Sequence, residues 1–164
     1  MTVSIRRALP GEEGAVGELL SATWHDAHDA VLGPDRVDEI TGIWHTPERL
    51  AEEIADPAVL FLVAQAEDGR LVGHALARMD QDGGLHLIRL YVRPGRQGEG
   101  LGSRLLDAVV AAYPAARFLR LEVQEHSRDA IRFYRRHGLE KISTTAEMGG
   151  YTDVPALIMQ KRLG

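Results

Sequence analysis

The chain has 164 residues, 45% of them hydrophobic and 26% charged, and 24 acidic against 19 basic residues leave a net charge of −5. That length suits one core rather than two, and the absence of cysteine excludes disulfides, thiolate metal sites and a cysteine nucleophile. An acidic balance argues against a nucleic-acid partner, which calls for a basic excess, and leans mildly toward a cationic substrate. No apolar run approaches the ~20 residues of a membrane span, and "MTVSIRRALPGEE" lacks the apolar core of a signal peptide. The expectation is a single domain over residues 1–164, cytoplasmic, with no membrane and no nucleic acid among its partners.

In chain order, "VSIRRAL" (3–9) alternates as an opening strand, and "PGEE" starts a helix running to about Val31, where "GPD" breaks it. "TPERLAEEIAD" (46–56) reads as a second helix, with Thr46 at its cap and Pro47 at its first position. "AVLFLVAQA" (58–66), "RLVGHALARM" (70–79) and "GLHLIRLYV" (84–92) form an antiparallel meander with turns at "EDGR" and "DQDGG". A helix over about 100–112 follows, then the strand "RFLRLEVQ" (117–124). The helix "SRDAIRFYRRH" (127–137) comes next, capped by Ser127 and stopped by Gly138. Two strands, "LEKISTTAEM" and "VPALIMQKRL", close the chain.

Glycines at 98, 100 and 102 sit between a strand and a helix. The lysine of a Walker loop is missing, and G-x-G-x-G after the fourth strand is not the dinucleotide fingerprint of a first βα turn. The bare amides of a helix N-terminus suit a pyrophosphate, with Arg93, Arg96 and Arg104 as counter-charges. Spacing alone equally permits a tight strand-to-helix connection.

Gln97-Gly98-Glu99-Gly100-Leu101-Gly102 resembles the [Q/R]-x-x-G-x-[G/A] acyl-CoA loop of the GNAT superfamily of N-acetyltransferases. "RLYVRP" before it and "SRLLDAV" after it are similar to the family's fourth strand and following helix. "LRLEVQEHSRDAIRFYRRHGLEK" matches a second family pattern, with Ala130, Ile131, Tyr134 and Gly138 in register. Ser127 and Leu139 depart from it, standing where asparagine and phenylalanine are usual. The resemblance covers roughly 58–162. It implies an α/β (α+β) GNAT fold, a mixed, mostly antiparallel sheet of about seven strands with about four helices on its faces.

The resemblance further implies acetyl-CoA as co-substrate, with no metal. The donor would lie along the backbone of Leu90, Tyr91 and Val92, the loop Gln97, Gly98, Glu99, Gly100, Leu101, Gly102 and Ser103, and Ser127 and Tyr134. Tyr134 matches the family's general acid, although the bare pattern also suits a tyrosine packed at the sheet edge. Glu122 is the first candidate for the base, by likeness to bacterial N-alpha-acetyltransferases of ribosomal proteins; an exposed strand carboxylate is the alternative. His86 is the second, its reference pKa of ~6.5 well placed. Without cysteine, the acetyl group is expected to pass directly to a primary amine in a ternary complex.

The ending "AEMGGYTDVPALIMQKRL" and "ATWHDAHDAV" resemble the polyamine-acetyltransferase branch, so a polyamine and a protein N-terminus both stand as acceptors. Glu39, Glu48, Glu52 and Glu53 are candidate cation-binding carboxylates. His25 and His28 have metal-ligand spacing but suit a solvated or substrate-facing helix better. Arg128, Arg132, Arg135 and Arg136 suit a solvated face, with Arg128 or Arg132 near a CoA phosphate. Trp24 and Trp44 suit either the acceptor cleft or the core. A non-catalytic acyl-CoA-binding module is the alternative function, and dimerisation through the closing strands, common in the family, leaves a homodimer open.

Overall fold

A computed structural model describes residues 2–145 and 155–164. Its elements are β1 (Val3–Arg7), α1 (Glu13–Leu32), α2 (Pro34–Trp44), α3 (Pro47–Ala55), β2 (Val59–Ala66), β3 (Leu71–Met79), β4 (Gly84–Val92), α4 (Leu101–Ala111), β5 (Phe118–Gln124), α5 (Arg128–Arg136), β6 (Glu140–Thr145) and β7 (Ala156–Arg162). One seven-stranded sheet runs β1-β2-β3-β4-β5-β7-β6. Among the described residues its only parallel pair is β4 with β5. A parallel pair requires a crossover, and α4 provides it.

Alternation within the strands gives the sheet two apolar faces. Leu119, Leu121 and Val123 of β5 turn to the face covered by α4 and α5, where Leu105, Leu106, Val109 and Ile131 are buried with them. Phe61, Val63 and Leu76 turn to the other face, packed by Leu19 and Leu20 of α1 and Leu50 of α3. Helices on both faces are what allow the long apolar runs of β2 and β3.

One helix was not expected. "GPD" does end α1, but the same residues begin α2. Gly33 turns the chain at φ 85°, and Pro34 takes the first helical turn, where its missing N–H is no loss. Val37 and Ile40 then bury a short stripe against Trp24. Thr46 caps α3 as expected, its hydroxyl accepting the Arg49 N–H at 3.2 Å. Ser127 does not cap α5 through its side chain. The final residues of "LEKISTTAEM", and the Met148, Gly149 and Asp153 of the polyamine-branch likeness, lie outside the described residues.

Two features of β4 open the sheet at its centre. Leu76 of β3 pairs with Arg89 and Ala77 with Leu87, so Ile88 is an extra residue that bulges the strand. Pairing between β4 and β5 stops at Leu87↔Leu121. Beyond that point both strands continue but no longer bond to each other.

Candidate active site

The parting of β4 and β5 leaves a cleft of about 650 Å³ between them. Its walls are Leu87 to Val92 on one side and Leu121 to Gln124 on the other, with Ser127, Phe133 and Tyr134 of the α5 segment above them. A second cleft of about 300 Å³ lies by α3. Leu87, Ile88, Arg89, Tyr91 and Glu122 line both. The two clefts therefore share a wall at the bulge.

The expected donor residues divide. Leu90, Tyr91, Val92, Gln97, Gly98, Gly102, Ser127 and Tyr134 line the larger cleft. Gly98 and Gly100 have φ of 83° and 79°, which an L side chain strains to adopt, and a Cβ on either would meet open space. Gly102 is helical, and its missing side chain makes room for Phe133, whose ring would lie 3.2 Å from a Cβ. Leu101 is buried in the core, and Glu99 accepts from Arg96 Nε at 3.0 Å. Ser103 Oγ lies 2.9 Å from Nε2 of His137, tying α4 to the end of α5.

Two of the three expected counter-charges belong elsewhere. Arg93 is buried, donating to the Leu71 carbonyl at 2.9 Å and to both Glu18 oxygens at 3.0 and 2.6 Å. Arg104 reaches the Val3 carbonyl at 2.8 Å. Cations do line the cleft: Arg128 and Arg136 of α5, besides Arg89, which is paired with Glu53. From sequence, Arg128, with Arg132, stands near a CoA phosphate only as the second option to a solvated face. Arg136 stands only as solvated, although its place eight residues after Arg128 puts both on one helical stripe. Arg132 pairs instead with Asp129.

Tyr134 is 8% exposed. Burial, reinforced by the nearby Tyr91, pushes its hydroxyl above the ordinary tyrosine range, so it stays protonated at neutral pH. Tyr91 accepts a hydrogen bond from Trp24 Nε1 at 3.0 Å, which fixes β4 to α1 beside the bulge. Trp24 is thus core, while Trp44 lines the smaller cleft.

Glu122 is exposed, and His86 is half-buried on the strand beside it. His86 pairs in register with Arg120, so Glu122, two residues on, shares its face of the sheet. Burial holds His86 below the ordinary histidine range; Asp80 and Glu122 oppose the shift, while Arg78 and Arg120 add to it. Of the candidate cation-binding carboxylates, Glu39 is paired with Arg36 and Glu53 with Arg89.

His25 and His28 diverge. His25 places its two ring nitrogens 2.7 and 2.8 Å from Asp29 and Asp38, which raise its pKa. His28 turns inward, Nδ1 lying 2.8 Å from Nε2 of His126, and both line the larger cleft. That imidazole pair had no local signal, since its members stand 98 residues apart. Among the described residues no group of three or more His, Asp or Glu is arranged to hold a metal ion, and no helix is long and apolar enough to cross a membrane.

The family model for the GNAT acetyltransferase family matches residues 23–139. An uncharacterized N-acetyltransferase of Mycobacterium tuberculosis is 31% identical over 111 residues, 66% of this chain and 70% of that one. An aminoglycoside N(6')-acetyltransferase type 1 of Stenotrophomonas maltophilia is 32% identical over 116 residues, 66% of this chain and 65% of that one. Among solved structures, the PaiA N-acetyltransferase from Thermoplasma acidophilum in complex with coenzyme A has the same fold. It superposes with a TM-score of 0.87 over 99% of this chain and 100% of its own, at 21% identity. A parted β4–β5 pair, a glycine turn into α4 and a family match over most of the chain agree, and the protein is an acyltransferase belonging to the GNAT acetyltransferase family.

Proposed function

We propose that the protein transfers the acetyl group of acetyl-CoA directly to a primary amine, with both substrates bound together. The observation that carries this is the shared wall: two clefts meet where β4 and β5 part, with Glu122 in both. A donor can occupy one cleft and an acceptor the other, meeting at that wall.

The larger cleft fits acetyl-CoA. Past Leu87 the β4 backbone has no β5 partner, which leaves an edge that an amide-bearing pantetheine arm can pair with as an added strand. Open space over Gly98 and Gly100 admits a pyrophosphate against the first amides of α4, and Arg128 and Arg136 supply positive charge. Ser127 Oγ is buried without a hydrogen-bond partner in this wall, ready to bond a donor atom.

In the reaction the amine nitrogen forms a bond to the acetyl carbon and the carbon–sulfur bond breaks. A backbone N–H of the parted β4 segment stabilises the developing oxyanion. Glu122, the first candidate, or His86 takes the proton shed by the amine, and Tyr134 gives its proton to the departing thiolate. The phenol, protonated at neutral pH, hydrogen-bonds the sulfur as charge develops and hands over its proton as the carbon–sulfur bond breaks. The phenolate left behind is the stronger base and regains a proton from solvent.

The absence of cysteine makes the test clean. Free thiol released from acetyl-CoA is followed with a chromogenic disulfide in the presence of polyamines, peptides, amino acids and aminoglycosides. Amine-dependent release that falls by about 10²-fold or more in Tyr134→Phe is the expected result. Acetyl-CoA binding without turnover on any amine would favour the acyl-CoA-binding module. Ping-pong kinetics would overturn direct transfer.

A further inference from the structure

We propose that the smaller cleft is a subsite for an amine that also carries a carboxylate, such as an acidic amino acid or short peptide, and that Arg49 and Arg78 receive the carboxylate. This deepens the acetyl-transfer reading and rests on it.

The charges of the cleft do not follow the charge of the chain. Three arginines line it, Arg49, Arg78 and Arg89, against two carboxylates, Glu53 and Glu122. Glu53 is already spent on Arg89, whose Nη2 donates to both its oxygens at 2.7 and 2.8 Å. Arg78 is half-exposed and only loosely paired, its Nε 3.5 Å from Asp80. Arg49 makes no side-chain ion pair among the described residues, its position in α3 being held by the backbone bond to Thr46. Among the described residues, Arg49 without an ion pair and Arg78 loosely paired with Asp80 therefore line the cleft with one carboxylate, Glu122, that is itself in no ion pair.

The histidines do not change that balance. His45, whose Nδ1 is buried without a partner, is pushed down to about 3 by burial and by Arg89 and Arg49. His86 is lowered as well, so both stand neutral near pH 7. Trp44 adds an apolar surface.

The register sets the separation of the two poles. Arg78 pairs with His86 and His86 with Arg120, and Glu122 lies two residues past Arg120. The backbones of Arg78 and Glu122 are thus two strand spacings apart, about 10 Å, and offset by about 7 Å along the strands. Part of that gap is filled by the arginine side chain, and the remainder suits an ammonium and a carboxylate several bonds apart. A volume of about 300 Å³ is of that order. A polyamine would set its second ammonium against Arg49 and Arg78, and like charges in one cleft discriminate by repulsion.

The test compares glutamate and glycylglutamate with their fully amidated counterparts, spermidine and an aminoglycoside, by thiol release. Amidation is expected to lower kcat/KM by about tenfold or more, chiefly through KM, the loss of one charge-assisted contact. In Arg49→Gln and Arg78→Gln the ratio of carboxylate to amide should shrink to about threefold or less. Amides or spermidine used as well as the carboxylates would overturn the proposal.

A second arm needs no turnover: calorimetric binding of N-acetylglutamate, weakened in both arginine variants, supports the subsite by itself. Spermidine turnover without N-acetylglutamate binding overturns the subsite and leaves acetyl transfer standing. Failure to bind acetyl-CoA overturns the donor reading, and the N-acetylglutamate arm then decides the subsite alone.

Discussion

Arg89 and Glu53 form a chelated ion pair that fastens α3 to β4 one residue past the bulge at Ile88, with Arg89 Nη1 also 3.4 Å from Nε2 of the buried His74. The arginine is almost wholly buried, its carboxylate partner less so. Glu53→Gln keeps the shape and removes the charge. It is expected to lower stability by about 1.5–3 kcal/mol, the range for a hydrogen bond to a charged group, because the guanidinium stays buried. Urea unfolding measures it, and an unchanged midpoint would show that the pair holds nothing.

Glu122 and His86 share one face of the sheet at the meeting of the two clefts, and one substitution at each separates them as bases. Glu122→Gln is expected to lower kcat by about 10²-fold and to shift the optimum upward, since the amine must then lose its proton unaided. His86→Asn should leave most of the rate. The reverse order, read from pH–rate profiles of the two variants, would reassign the base to His86.

Ser127 stands where the family pattern has asparagine, and its buried hydroxyl has no partner. Removing it breaks no bond within the protein, so Ser127→Ala should change the melting temperature little. Acetyl-CoA affinity should fall by about threefold to tenfold, the worth of one neutral hydrogen bond. Equal affinity in calorimetry would mean that the hydroxyl does not touch the donor.

Buried histidines make the fold sensitive to mild acid. Burial is the leading cause in each case: His28 is pushed down to about 4, and His45 and His74 to about 3. The unfolded chain binds these protons from about pH 6.5 downward and the folded chain does not, so the stability they contribute is present above 6.5 and drains as pH falls through their folded values. His25 works the other way: its pKa is raised by Asp29 and Asp38, so its contribution is full below 6.5 and lost as pH rises. That ring is partly exposed and screened, so it offsets little. Urea midpoints are expected to fall between pH 6.5 and 5, above the range where carboxylates dominate. A flat midpoint across that window would contradict the depressed values.

Much of this protein was legible because the physics was local. Strand alternation and the turns at Gly69 and Gly83 mark the meander, the apolar spacing of Leu101, Leu105 and Val109 marks α4, and the glycine motif and the Tyr134 pattern carry the family. Ambiguity was local too: Pro34 after Gly33 is both a break and a start, and only burial of Val37 and Ile40 under Trp24 shows that α2 forms. What needed the tertiary structure depended on partners far apart in sequence. Arg93 and Arg104 look like phosphate ligands beside the glycines until Glu18 and the Val3 carbonyl claim them. Glu53 looks like a cation site until Arg89 takes it. Sequence by itself determined the fold, the family and the candidate acid at Tyr134, because periodicity and motif spacing are read along the chain. The tertiary structure decided which charges remain free to meet a substrate, because an ion pair is spent or unspent only according to what the fold brings beside it.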